Sequence, residues 1–179
     1  MLHQAGVEFV VRSPDFDEAD AKQGHAGDGE ALARRLAEGK ALSVPSGHED
    51  WVIGSDSTVS VDGVRYSKPR DRDEAAAHLR AFSSRTMLLS SAVALASRGR
   101  VDWSHAETAK LKFRHLTEDF VKSYLDQEWP EVGYCVGVFR MEGRGATLFD
   151  EVDGSYFTIL GMPLLPLLGA LRQRGLIAA

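Results

Sequence analysis

A chain of 179 residues, 44% apolar and 26% charged, is long enough to bury one sizeable α/β core or two tightly joined lobes. Its net charge of −5 excludes a broadly basic surface for a nucleic-acid polymer, though a local cluster of Lys and Arg can still hold the phosphates of a small nucleotide. A single cysteine, Cys135, allows no intrachain disulfide, and no apolar run approaches the roughly 20 residues of a membrane span, so a cytoplasmic protein with no membrane partner is expected.

The opening "MLHQAGVEF" lacks the charged-then-hydrophobic pattern of a signal peptide. "VEFVV", residues 7–11, reads as a strand, and the Gly/Asp/His-rich "DEADAKQGHAGDGE" after it as a polar loop. From Gly29 the pattern is helical. Leu32, Leu36 and Leu42 recur with Ala33, Ala37 and Ala41, Asp28 supplies an N-cap, and Lys40 falls near the end. "WVIGSD" and "TVSVDG" read as strands, with a hairpin turn at Asp62-Gly63, and "RYSKP" leaves that turn towards Pro69. "RDRDEAAAHLRAFSS" is a helix with an acidic first turn and with Leu79 and Phe82 facing inwards. "TMLLSSAVALASRGRVDWSHAETAKLKFR" predicts two long strands around Arg98-Gly99. "TEDFVKSYLDQEW" is a helix capped by Thr117, the glycine-punctuated stretch from Gly133 is loop and short strands, and "MPLLPLLGALRQRG" is a closing helix ended by Gly175. The alternation of helices and strands around a long hairpin indicates an α/β fold with a mixed sheet in a single domain over residues 1–179.

There is no Walker A loop, no "GxGxxG", no "HExxH" and no nucleophile elbow, and the six histidines have no metal-ligand spacing. Cys135, in the apolar-flanked "GYCVG", reads as packing. Polar residues at element ends remain: Glu18, Lys40, Asp56, Lys68 and Glu142. Taken singly, each is an ordinary solvated charge. Asp56 stands out because it closes a predicted strand, where ligand sites of α/β sheets tend to lie. One or two carboxylates with two lysines suit a metal-bound polyphosphate.

"MLHQAGVEFVVRSPDFDE", "LAEGKA", "VIGSDSTVSVDG", "YSKP" and "EAAAHLRAFSSR", followed by "VGYCVGVFRMEGRGATLFDEVDGSYFTILGMPLLPLLGALRQRG", stand in the order seen in the Maf proteins, nucleoside triphosphate pyrophosphatases. The chain resembles that family over nearly all its length. The resemblance implies an elongated mixed sheet flanked by helices, with a cleft between two lobes. It also implies hydrolysis of a nucleoside triphosphate to monophosphate and pyrophosphate with a divalent cation (Mg²⁺, Mn²⁺ or Co²⁺). In that scheme Asp56 matches the catalytic acid, which activates water and helps seat the metal, and Glu18 matches an acid near the metal. Lys40 and Lys68 match lysines that offset triphosphate charge. The implied partner is the nucleotide itself, and a homodimer is compatible with the sequence.

The family branch that acts on dTTP and UTP carries "AGAYGIQ"; here "VGVFRMEGRG" puts Glu142 in place of its glutamine, as in the branch acting on 7-methyl-GTP. A carboxylate can accept two hydrogen bonds from a guanine edge and favours a cationic methylated ring. Ser57, after the catalytic acid, is read as substrate-binding but matches neither branch, which carry glutamine or threonine there. Ser84 stands where relatives often have Gly, a position read as structural.

Family members begin with a strand and an "SxSxxR(R/K)" loop that holds the phosphates. This chain starts at "MLHQAG", just beyond that point, so a piece of about a dozen residues, one strand and that loop, is expected to be missing, from a late start or a true shortening. Weak or no turnover is therefore expected of residues 1–179, and the alternative is a catalytically silent nucleotide-binding or cell-division regulatory protein.

Overall fold

The computed structural model describes residues 1–25, 27–45, 47 and 50–178. Among these, five strands form one sheet in the order β2-β1-β3-β4-β5: β1 Trp51–Val61, β2 Val64–Tyr66, β3 Thr86–Ser97, β4 Arg100–Phe113 and β5 Phe149–Asp153. The helices are α1 Glu18–Lys22, α2 Gly29–Ser43, α3 Arg72–Phe82, α4 Glu118–Glu128, α5 Tyr156–Ile159 and α6 Leu164–Gln173. The α/β class expected from the pattern is what the structure shows. Its sheet is antiparallel, which corrects the mixed sheet expected. The physical reason lies in the connections, because hairpin turns join β1 to β2 and β3 to β4, whereas a parallel neighbour requires a long crossover.

Both hairpin turns carry consecutive positive φ values: Asp62 at 50° with Gly63 at 79°, and Arg98 at 55° with Gly99 at 73°. That is the twist-matched geometry of a two-residue turn. Ser84, at φ 60°, also takes a backbone conformation in which glycine is at home. Asp28, Asp71 and Thr117 cap α2, α3 and α4 by accepting from Ala31, Glu74 and Phe120 N–H at 2.8, 2.8 and 3.2 Å.

Three expectations fail locally. Residues 7–11 form no strand, and Val10 and Val11 are 79% and 87% exposed; β propensity is a preference for a half-buried pleated surface, which these residues do not meet. The supposed polar loop holds α1, started by Asp17, whose carboxylate accepts from Ala19 and Asp20 N–H at 2.9 and 3.0 Å. Leu42 is exposed, because the buried stripe of α2 runs through Leu32, Ala33, Leu36, Ala37 and Ala41.

The chain divides into two compact units, and β1, β3 and β4 each contribute residues to both. Residues 1–57, 91–107 and 161–179 make the first unit. The contact of α2 with the sheet is built of alanine, Ala33, Ala37 and Ala41 against Ala92, Ala94 and Ala96 of β3 and Ala106 of β4, beside buried Leu32, Leu36 and Leu95. Residues 58–90 and 108–160 make the second. Its core is aromatic, with Phe82 packed between Tyr66 and Phe113 at centroid distances of 4.7 and 5.4 Å, and Phe149 against Phe113 and Phe139 at 4.6 and 5.0 Å.

Candidate functional site

A glycine in the middle of β1 sets the geometry of the first unit. A Cβ on Gly54 would stand 2.2 Å from the Ala37 carbonyl oxygen and 2.7 Å from the Ala41 nitrogen, so only glycine lets the backbones of α2 and β1 come this close. Two residues on, Asp56 projects from the same face of the strand. One helical position before Ala41, Lys40 reaches it, and its ammonium donates to Asp56 Oδ1. Gly39 does the same for α1: a Cβ there would stand 2.3 Å from the ring of Phe16, which precedes that helix. The docked ring brings Glu18 to the other side of Lys40, where Glu18 Oε1 accepts from Lys40 Nζ at 2.7 Å. Lys22, on the next turn of α1, holds Glu18 Oε2 at 3.0 Å. Arg34 and Glu38 anchor α2 through Ser104 of β4, at 2.9 and 2.7 Å.

The result is one ammonium between two carboxylates in unequal surroundings. The Asp56 side chain is 10% exposed and that of Glu18 is 40%. The hydrogen bond from Lys40, against partial burial and with help from Lys22, holds Glu18 at a pKa of about 2. Burial pushes the Asp56 carboxyl above its ordinary value, and the hydrogen bond and charge of Lys40 only partly offset this. Burial also opposes the Lys40 charge, but the hydrogen bonds to Asp56 and Glu18 outweigh it and raise its pKa. The two carboxyls are thus driven in opposite directions around one ammonium.

Asp56 lies within β1, not at a strand end as its sequence position suggested. Ser57, expected beside it as a substrate-binding residue, projects from the other face because side chains alternate along a strand. There its hydroxyl shares a 2.7 Å hydrogen bond with Ser91 and donates to the Gly161 carbonyl at 3.4 Å, which Ser55 also reaches at 2.8 Å. The structure thus brings together Glu18, Lys40 and Asp56, and turns Ser57 away from them.

Lys68 and Glu142 belong to the second unit, and both are exposed. Lys68 follows β2, next to Pro69. Glu142 sits in a turn in which Gly143 N–H donates to the Arg140 carbonyl at 3.1 Å. Both act electrostatically on the half-buried Cys135: burial pushes its thiol up, Glu142 adds to this, and Arg140 and Lys68 oppose it. A thiol held above its ordinary value is no activated nucleophile, in keeping with a packing role.

The sequence reading passed over Lys22, Phe16 and Gly54. Gly54 had a legible signal, an isolated glycine inside a β-branched run, which marks a close backbone approach. Among the described residues no group of three or more His, Cys, Asp or Glu gathers into a metal cage. Two carboxylates do suit a hard cation that takes its remaining ligands from water and phosphate oxygens.

The sequence pattern of the family described as Maf-like protein matches residues 1–174. The chain is 40% identical to a 7-methyl-GTP pyrophosphatase of Rhizobium meliloti (strain 1021), an alignment covering all of this chain and 92% of the relative. It is 42% identical to a nucleoside triphosphate pyrophosphatase of Paramagnetospirillum magneticum, covering 98% of this chain and 92% of that protein. A nucleoside triphosphate pyrophosphatase of Gluconobacter oxydans is 36% identical, over all of this chain and 91% of its own length.

Proposed function

The chain belongs to the Maf-like protein family, and from that premise we propose that it hydrolyses a nucleoside triphosphate to the monophosphate and pyrophosphate. The observation that carries the reading is the Glu18–Lys40–Asp56 constellation, an anionic pair tuned apart around one lysine. Asp56 takes a proton from the attacking water, whose oxygen bonds to the α-phosphorus. The bond from that phosphorus to the bridging oxygen breaks, and pyrophosphate leaves with the oxygen. Glu18 and Asp56 would hold a divalent cation (Mg²⁺, Mn²⁺ or Co²⁺), whose charge would neutralise phosphate oxygens. Lys40 keeps the Asp56 carboxylate oriented and, with Lys68, adds positive charge for the triphosphate. Glu142 accepts hydrogen bonds from a guanine edge and favours a cationic ring, which supports 7-methyl-GTP as the substrate. The reaction belongs to the cytoplasm, where Cys135 stays reduced.

A panel of nucleotides incubated with each of the three cations, read as pyrophosphate release, tests this. The expected result is slow release that is faster with 7-methyl-GTP than with UTP. Asp56→Asn should lose about 10²- to 10⁴-fold in rate, the usual worth of a positioned general base, while still binding nucleotide. No release with any nucleotide, or unchanged turnover in that variant, overturns the reading. Glu142→Gln should lower 7-methyl-GTP relative to UTP, and an unchanged ratio removes Glu142 from base recognition.

A further inference from the structure

The buried stripe of α4 offers two polar side chains one turn apart. Tyr124 is 3% exposed, and its OH donates to the Val138 carbonyl at 3.0 Å. Glu128 is 6% exposed, and its Oε2 accepts from Arg140 Nη2 at 3.0 Å. Spacing of i and i+4 puts both on one side of the helix, and they grip the segment two residues apart.

The gripped backbone is strained. Val138 is fully buried with φ at 57°, a left-handed conformation that a β-branched residue avoids. Such strain persists only where the surroundings over-determine it, and it gathers at functional positions. Glycines close the segment on itself: a Cβ on Gly137 would stand 2.5 Å from the Phe139 ring, and one on Gly145 would stand 2.4 Å from the Arg140 carbonyl oxygen. Burial holds the Tyr124 phenol above its ordinary value, so its donor proton is kept. Glu142 is displayed from the turn immediately after Arg140, two residues beyond the second grip.

We propose that Tyr124 and Glu128 are positioning residues that clamp Val138 and Arg140 and thereby fix Glu142 for discrimination between nucleobases. The proposal rests on the reading of Glu142 as the base-recognising carboxylate. Tyr124 supplies the backbone restraint and Glu128 the charge restraint, and neither touches the substrate.

The test compares Tyr124→Phe, Glu128→Gln and Glu142→Gln, singly and with each of the first two added to the third. The readout is the ratio of dissociation constants for 7-methyl-GTP and UTP with Mg²⁺, measured by calorimetry. Tyr124→Phe keeps the ring and loses one hydrogen bond, so the preference for 7-methyl-GTP should fall about fivefold. Glu128→Gln should lower it by at least as much. Added to Glu142→Gln, neither should lower it further, since residues acting through one group are not additive. An unchanged preference in both single variants, with a loss in Glu142→Gln, overturns the clamp and leaves the base reading standing. A loss that persists in full in the doubles overturns it as well. If Glu142→Gln leaves the preference unchanged, or binding is too weak to rank, the base reading is what fails, and amide hydrogen exchange decides the clamp. Faster exchange across residues 136–143 in Tyr124→Phe, with α4 unchanged, supports it, and unchanged exchange overturns it.

Discussion

The unit that holds Glu18, Lys40 and Asp56 packs alanine against alanine, whereas the unit that holds Lys68 and Glu142 packs aromatic rings. Small side chains contribute little area, but they set how near two backbones can come. In the first unit that nearness places Lys40 against Asp56. Aromatic rings contribute large buried area and stiffness, about 150–250 Å² each. In the second unit those rings pack on one another around Phe82, Phe113 and Phe149.

The aromatic core should be the most sensitive part of the molecule. Phe82→Ala removes a fully buried ring and should cost about 3–5 kcal/mol in urea unfolding, the range for large aromatic truncations. A loss below about 1 kcal/mol would mean that the rings are not the main support of that unit.

Gly54→Ala attacks the alanine-packed unit with a single methyl. It should cost about 1–3 kcal/mol through overpacking. It should also slow turnover about 100-fold by moving Lys40 off Asp56, because angstrom-scale displacements are expensive in a preorganised site. Turnover equal to that of the parent protein would show that the close approach at Gly54 does not set the site.

Lys40→Gln removes the ammonium between the two carboxylates. Lys40 lowers the pKa of Asp56, so its removal should move the acid limb of the kcat/KM profile to higher pH. Stability should follow the same sign. A carboxyl whose folded pKa lies above its unfolded value favours folding when protonated, and that contribution is lost as pH rises through the folded pKa. The variant should therefore be least stable relative to the parent at neutral pH and recover as Asp56 protonates in acid. The parent keeps a separate contribution from Glu18, present above its unfolded pKa and lost as pH falls towards about 2. An acid limb that stays in place removes Lys40 as the partner that tunes Asp56.

Asp62→Asn should do least, within about 0.5 kcal/mol and with no change in rate, because the Asp62–Arg85 pair at 2.7 Å is solvent-exposed on both sides. Asp62 and Asp56 share a strand and its turn, and only packing separates a turn residue from a buried acid.

The local elements were legible along the chain. Capping residues placed α2 and α4, an acidic first turn placed α3, turn residues placed the hairpins at Asp62-Gly63 and Arg98-Gly99, and periodicity found Leu79 and Phe82 in the core. These signals are local, so a short window contains them. The short α1 was legible only through Asp17, in a stretch whose glycines suggested loop. Family order singled out Glu18, Lys40 and Asp56, and spacing alone could not, since each is an unremarkable charge along the chain. Glu18 and Asp56 flank one ammonium, Ser57 turns from them, and Tyr124 of α4 reaches the Val138 carbonyl only in the folded chain. The reason is physical: a charge becomes a site through distance and desolvation, and both are created only when Gly54 lets α2 close on β1.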